Sequence, residues 1–348
     1  MRAYFFPSEG RIPFGNPYPK NFKRALEAAH FDVLYSRRRP TVLGTLSLLW
    51  YAFRADVFFL NWLENVGVMH LPLVQFLLAR VALAVIRLRR KRIVWIQHNL
   101  TPHEGTNWMT RSMRRTLCRV ADVVVSHSRE AADAIRAEVG ERSVYLCHPV
   151  APVPLAATGT SDINETDTDI FIWGKVLPYK GVAEFLANDF VQRGSLTVDV
   201  VGRCDDSALA RRIESLCNER ITFKNRVASF DEIAARCRRS RWVVFPYIGE
   251  CVSSSGALID TVVMGGNPVG PDRGAFRDLA EMGVCRTYRN DEELAAILQS
   301  DWRIDDDARR KFIEENSWPM FIERIIELTP SRPPRGEEEE PSAKKFNI

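Results

Sequence analysis

This chain of 348 residues lacks a dominant charge. Its 48 lysines and arginines stand against 44 acidic residues, for a formal net charge of +4, a balance that argues against a nucleic-acid partner. It also lacks a cysteine pattern. The seven cysteines, at 118, 147, 204, 217, 237, 251 and 285, are odd in number and show no C-x-x-C spacing. Neither a disulfide framework nor a zinc site is signalled, and a reducing cytoplasm is expected. MRAYFFPSEG at the N-terminus has no basic stretch followed by an apolar h-region, which predicts no secretory signal and a protein kept inside the cell. Long apolar runs are scarce as well. The best candidate, LPLVQFLLARVALAVIRLRRKR over 71–92, is interrupted by Arg80 short of the ~20 residues that a bilayer core demands. Its end carries Arg87, Arg89, Arg90, Lys91 and Arg92. It is therefore either a buried helix with a solvated basic end or a helix lying on an anionic membrane surface, the inner face of the plasma membrane. No internal repeat of short period is present.

What the chain does have is alternation. Short runs rich in Val, Ile and Phe alternate with helix-period segments, the pattern of parallel sheets built from β-α-β units. Strands are expected at Ala3–Phe6, Asp32–Tyr35, Asp56–Asn61, Arg92–His98, Asp122–His127 and Val144–His148. A second set is expected at Ile170–Trp173, Leu196–Val201, Ile221–Phe223, Trp242–Phe245, Asn267–Val269 and Val284–Tyr288. Between the sets, residues 151–168 are rich in Pro, Thr and Asp and read as a linker. The expected organisation is an α/β N-terminal domain over 1–150, this linker, a similar domain over 169–304 and helical segments over 305–328 that pack back on the first domain. Trp318 and Pro319 should break or kink those segments. The charged tail over 329–348 reads as disordered. Two such open sheets facing one another form a cleft, with ligands beyond the carboxyl ends of the strands.

The motifs stand at those ends. In IFIWGKVLPYKG, residues 170–181, an apolar strand ends at Gly174. Lys175 follows at the strand mouth, and Lys180 and Gly181 open the next helix, where two ammonium groups and a helix N-terminus suit a diphosphate. This stretch resembles the G-(Arg/Lys)-x4-Lys-G clamp of GT-B glycosyltransferases of the Glu-x7-Glu group, the group 1 or family 4-like enzymes. The resemblance runs over about residues 1–328 and implies two Rossmann-like domains. It implies that Lys175 and Lys180 hold the pyrophosphate of a nucleotide-sugar donor. Arginine is common at the first position, and a lysine there keeps the charge and loses the bidentate fork.

The resemblance extends to other strand ends. In KRIVWIQHNLTPHEG, His98 and Asn99 occupy the place of a His-Asp or His-Asn pair that meets the donor sugar, and His103 and Glu104 lie in a loop on the acceptor side. A metal on His98, His103 and Glu104 is not expected, because Pro102 removes the helical periodicity that His-Glu zinc motifs use. In EGRIPFGNPYPK, Gly10, Arg11, Gly15 and Asn16 are candidates for the donor phosphates or the acceptor, and equally for plain turn chemistry. In LNWLEN, Asn61, Trp62 and Glu64 form either a sugar platform or a cap on the core. VGRCDD ends a strand with Gly202 and Arg203, and FKNRVASFDEI resembles the base-reading segment, which implicates Asn225 and Arg226.

FPYIGECVSSSGALID, residues 245–260, resembles the first half of the Glu-x7-Glu element, with Glu250 as its first glutamate. The small residues Val252, Ser253, Ser254, Ser255 and Gly256 would let backbone amides approach donor oxygens closely. The second family glutamate, a ribose ligand, falls at Leu258, which cannot serve. A slip of register leaves Asp260 or Thr261 nearest the ribose. The resemblance thus implies transfer of a hexose from a UDP- or GDP-sugar to a glycan or polyprenyl-diphosphate-linked acceptor in bacterial polysaccharide or glycoconjugate assembly. Catalysis would fall to His98, Lys175, Lys180 and Glu250, with no metal cofactor and retention favoured over inversion. A nucleotide-sugar epimerase of the same architecture and a catalytically idle binding module are the alternatives.

Overall fold

The computed structural model describes residues 1–7, 17–34, 44–98, 107–150, 167–249 and 255–329. Two parallel six-stranded sheets organise them. The first comprises β1 (Arg2–Phe6), β2 (Asp32–Leu34), β3 (Val57–Asn61), β4 (Arg92–Gln97), β5 (Val123–Ser126) and β6 (Ser143–Tyr145), in the order β2-β1-β3-β4-β5-β6. The second comprises β7 (Thr168–Trp173), β8 (Val198–Val201), β9 (Ile221–Lys224), β10 (Ser240–Val244), β11 (Pro268–Pro271) and β12 (Arg286–Tyr288), in the order β12-β11-β10-β7-β8-β9. All the expected strands are present and differ only at their ends. They read as unbroken apolar runs because helices cover both faces of each sheet: β3 is VFFLN, buried throughout.

The helices of the first half are α1 (Tyr18–Ala28), α2 (Gly44–Tyr51), α3 (Pro72–Leu88), α4 (Trp108–Val120) and α5 (Arg129–Val139). Helices α2 to α5 bury Leu48, Phe76, Leu83, Met113 and Ile135 against Phe58 and Trp95 on one face of the sheet. Helix α1 lies on the other. The second half adds α6 (Val182–Leu186), α7 (Asp189–Arg193), α8 (Ser207–Ser215), α9 (Phe230–Arg239), α10 (Gly256–Val263), α11 (Gly274–Glu281), α12 (Asp291–Gln299), α13 (Asp306–Glu315) and α14 (Trp318–Leu328). The interruption expected near Trp318 falls just before it. Pro319 sits in the first turn of α14, where its missing N–H is no loss.

Helix α14 returns to the first sheet, placing Trp318, Phe321, Ile322 and Ile325 with Phe22 and Phe59. Trp318 meets Tyr18 edge-on at 5.0 Å, and burial of each such aromatic contributes roughly 2–3 kcal/mol. The outgoing and returning chain segments touch: Val150 N–H donates to the Asn316 carbonyl at 2.8 Å. A second contact joins the halves through helix ends. The first N–H of α5, Arg129, donates to Asp278 on α11 at 2.9 Å, and the first N–H of α11, Gly274, donates to Glu130 on α5 at 2.8 Å. Each helix supplies a carboxylate to the positive end of the other, so the two domains cap one another.

Both strand orders reverse once. The crossovers diverge between β1 and β3 in the first sheet and between β7 and β10 in the second. Adjacent loops leave opposite faces at such points, and a crevice opens at the carboxyl ends.

Candidate active site

The crevice of the second sheet is built by glycines. β7 is followed at once by Gly174, φ +99°, a left-handed backbone that side chains rarely adopt. A Cβ on Gly202, at the end of β8, would sit 1.9 Å from the Gly174 carbonyl oxygen. A Cβ on Gly181, φ +63°, would sit 2.1 Å from the Pro246 carbonyl oxygen. Three strand-end loops are thereby drawn together. Lys180 comes from a one-turn 3-10 segment, Pro178–Lys180, and its Nζ lies over the Tyr247 ring, 5.5 Å from the centroid. The same Nζ would be 3.6 Å from a Cβ on Gly174. Burial lowers the Lys180 pKa, and no carboxylate pairs with the ammonium among the described residues. A half-buried cation without a counter-ion among the described residues is poised for an anion. The helix that follows is only five residues long, so its dipole adds less than the pattern of the sequence implied.

Lys175 behaves differently. It is exposed and leans on Asp205 of the β8 loop, Nζ to Oδ2 3.4 Å, and Asp205 also takes the Arg203 guanidinium at 2.8 Å. Asn225 braces that loop, accepting from Cys204 N–H at 2.8 Å and donating to the Cys204 carbonyl at 3.2 Å. Arg226 forks onto Glu232 at 2.8 and 2.5 Å. Both side chains assigned to the base are thus engaged with their own domain. Ser255 caps α10 by accepting from Leu258 N–H, and its hydroxyl lies 3.4 Å from that of Tyr247. A Cβ on Gly256 would meet nothing within 4 Å among the described residues. Of the two ribose candidates, Thr261 is fully buried. Its hydroxyl donates to the Ala257 carbonyl at 2.8 Å and accepts from the Trp173 indole at 2.9 Å, which removes it as a ribose ligand. Asp260 is half-buried with no hydrogen-bond partner among the described residues, and burial pushes its carboxyl up to about 7. Glu250, Val252, Ser253 and Ser254 lie outside the described residues.

The first sheet presents histidine. His98 follows β4 and is buried; its Nε2 meets Asn61 Oδ1 at 2.9 Å. The Asn61 amide nitrogen donates to the Phe6 carbonyl, so its oxygen faces the ring. That contact makes Nε2–H the donor and leaves Nδ1 as an acceptor. Trp62 stacks on His98 at 4.1 Å and 14°, and Tyr18 meets it edge-on at 4.8 Å. His127 and His148, at the ends of β5 and β6, complete the cluster, with His98 5.2 Å from His127 and His127 5.1 Å from His148. Burial, then the neighbouring imidazoles, holds His98 well below the ordinary histidine pKa. Burial takes His127 down to about 3 and His148 to about 4. His98 is therefore a neutral hydrogen-bonding group.

Trp62 serves as a wall for His98, and Asn61 as its orienting partner. Glu64 is corrected: its carboxylate accepts from the Trp95 indole at 3.1 Å, and burial among apolar side chains pushes it up to about 7. It is a core acid and does not face an acceptor. Gly10, Arg11, Gly15, Asn16, Asn99, His103 and Glu104 lie outside the described residues. The residues missed in the sequence are Tyr18, His127, His148 and Tyr247. The three at strand ends, His127, His148 and Tyr247, carry the same positional signal as His98. Beside the Lys180 crevice, a cavity of about 480 Å³ opens at the ends of β10 to β12, lined by Gly181, Tyr247, Asp272, Arg273, Tyr288 and Arg289. Among the described residues no three or more His, Cys, Asp or Glu side chains are placed so that they could hold a metal ion.

No family model and no curated protein matches the sequence. Solved structures do match. HepE of Anabaena, in complex with UDP and glucose, is 15% identical with a TM-score of 0.63, over 94% of this chain and 98% of that one. AviGT4, a glycosyltransferase of avilamycin A biosynthesis, is 14% identical with a TM-score of 0.60, over 94% and 96%. A trehalose-6-phosphate synthase studied for glycosyl transfer with retention is 12% identical with a TM-score of 0.61, over 94% and 98%. At such identities the likeness speaks for architecture, and it confirms the one expected: two facing Rossmann-like domains in the GT-B glycosyltransferase fold.

Proposed function

We propose that the chain is a glycosyltransferase that takes a hexose from a nucleotide-diphospho-sugar, UDP- or GDP-linked, and delivers it to a glycan or polyprenyl-diphosphate-linked saccharide. The observation that carries this is the half-buried Lys180 ammonium, without a carboxylate partner among the described residues, held beside Gly174 where the crossovers of β7 and β10 diverge. The bond from the sugar's anomeric carbon to the diphosphate breaks, and its electron pair leaves with the diphosphate. Lys180 stabilises the charge that develops there, and Lys175 adds a second, solvated charge at the rim. Neutral His98, its tautomer fixed by Asn61, lines the donor-sugar side of the cleft. Retention is favoured over inversion, the acceptor oxygen forming the new bond to the anomeric carbon and its proton passing to the departing diphosphate. The HepE complex with UDP and glucose supports the donor class. The two lysines do a metal's work on the diphosphate, so turnover should survive EDTA. The setting is bacterial polysaccharide or glycoconjugate assembly at the inner face of the plasma membrane.

The test is nucleotide release from UDP- and GDP-sugars, with and without membrane extract. Lys180→Met should lower turnover by roughly 100- to 1,000-fold, and Lys175→Met by about tenfold. Equal effects, or none, would remove the clamp from the mechanism. Sugar epimerisation without an acceptor would point to an epimerase, and binding without release to an idle module.

A further inference from the structure

We propose that the outer face of α2 and α3 is a docking surface for an anionic phospholipid leaflet, bound in the plane of the membrane. Helix α3 buries Phe76, Ala79, Leu83 and Ile86 and turns Leu73, Leu77, Val81 and Leu88 outward, at helical spacing. Leu88 is 79% exposed. Beside it, α2 and the turn that follows expose Leu46, Trp50 and Phe53, at 48%, 60% and 55%. The Arg89 guanidinium, at the end of α3, lies 5.3 Å over the Phe53 ring and joins the two helices into one surface. Large apolar side chains exposed side by side on two packed helices call for a partner.

Charge identifies that partner. Arg54 lies 4.0 Å over the Trp50 ring, Arg80 donates to the Ser112 and Thr116 hydroxyls, and Arg90 is exposed at the end of α3. None of Arg54, Arg80, Arg89 and Arg90 pairs with a carboxylate among the described residues. Between Glu64 and Glu104 the sequence contains no acid at all. Apolar side chains interspersed with unpaired arginines match the boundary between acyl chains and anionic headgroups. A second copy of this chain fits poorly, because a two-fold contact would set the same arginines against each other. No helix among the described residues is long and apolar enough to cross a membrane, so the contact is interfacial.

The placement serves the cleft. Helix α3 begins just beyond the carboxyl end of β3, the edge where Asn61 holds His98, so the apolar stripe starts at the cleft mouth with Leu71, Leu73 and Val74. It then runs away from the cleft to Arg89 and Arg90. A saccharide anchored in that leaflet would reach the cleft from its rim, a consequence that rests on the proposed function; the docking itself does not.

Co-sedimentation of the full chain with phosphatidylglycerol vesicles and with phosphatidylcholine vesicles tests this. Binding to the anionic vesicles is expected, with affinity at least roughly tenfold weaker for neutral ones at about 0.1 M salt. The double variant W50S/L77S should lose about tenfold or more at low and high salt alike, and R89E/R90E chiefly at low salt. All four positions are exposed, so both variants should still melt cooperatively, R89E/R90E slightly lower through loss of the Arg89–Phe53 contact, which separates lost docking from lost folding. The proposal fails if neither vesicle is bound, or if both variants bind as the parent does. It also fails if the apolar face instead drives a concentration-dependent dimer that W50S/L77S abolishes. The readout needs no sugar transfer, so absence of transferase activity would leave it standing.

Discussion

Replacing His127 by Asn should change how stability depends on pH, by an amount that follows from burial. His127 Nδ1 donates to the Leu146 carbonyl at 3.0 Å, and Nε2 lies 3.3 Å from the Tyr18 hydroxyl, so both nitrogens are occupied by a neutral ring. Its folded pKa, about 3, lies below the ordinary 6.5 because burial disfavours the cation. A depressed pKa means that the stability is fully present above about 6.5 and is lost as pH falls toward the folded value. At about pH 5 the unfolded chain gains some 2 kcal/mol by protonating this ring, whereas the folded chain gains almost nothing. Asn keeps a donor for the Leu146 carbonyl and does not titrate. The variant will be less stable at pH 7.5 through lost packing, but the gap to the parent should shrink by about 2 kcal/mol between pH 7.5 and pH 5. Urea unfolding of both proteins at the two pH values measures this. Glu64 and Asp260 titrate in the opposite sense, each pushed up to about 7, but they are common to both proteins and cancel in the difference. Parallel stability curves would mean that the ring is charged or solvated in the folded protein, and a neutral His98 would lose its support.

Gly181→Ala should destabilise by about 3 kcal/mol and depress turnover, because the new Cβ meets the Pro246 carbonyl at 2.1 Å on a left-handed backbone; thermal melting and nucleotide release read the two effects. Gly256→Ala should not lower the melting temperature, since no described residue crowds that position, yet should raise the donor KM if a donor oxygen lies against its backbone. Glu130→Gln and Asp278→Asn should each weaken the mutual capping of α5 and α11 by about 1 kcal/mol, and small-angle scattering should show a wider cleft in the double variant.

What the sequence disclosed, and what it hid, divides along one physical line. A strand buried on both faces writes itself as a run such as VFFLN, so both sets of strands were legible, whereas their order in each sheet, and so the places where it reverses, came only from the pairing. Residues just beyond those runs were legible as site candidates for the same reason, and His98 and Lys180 stand there. The partner that commits a polar side chain was hidden. Nothing local to Glu64 announces the Trp95 indole, nothing near Thr261 announces Trp173, and Asn225 is joined to the backbone of Cys204 only because β8 and β9 pair. Each of these contacts spans twenty residues or more, and sequence spacing carries no record of them.

That division bears on the departure from the family pattern. Leu258 stands where the second glutamate would be, and it is wholly buried in the core of the second domain, so no small rearrangement exposes it. The Thr261 hydroxyl is committed to Trp173, the last residue of β7, and so helps to fix the strand that delivers Gly174 and Lys175. Helix α10 therefore meets the end of β7 through a neutral, internally satisfied contact, where a carboxylate for the ribose was expected. Of the groups assigned to the ribose, only Asp260 keeps an unengaged side chain among the described residues. With its carboxyl near neutrality, it can present a protonated donor as readily as an acceptor. A ribose contact through Asp260 would then weaken as the carboxyl titrates. Donor KM should change across about pH 6 to 8 in the parent and stay flat in Asp260→Asn, and identical profiles would remove Asp260 from the donor site.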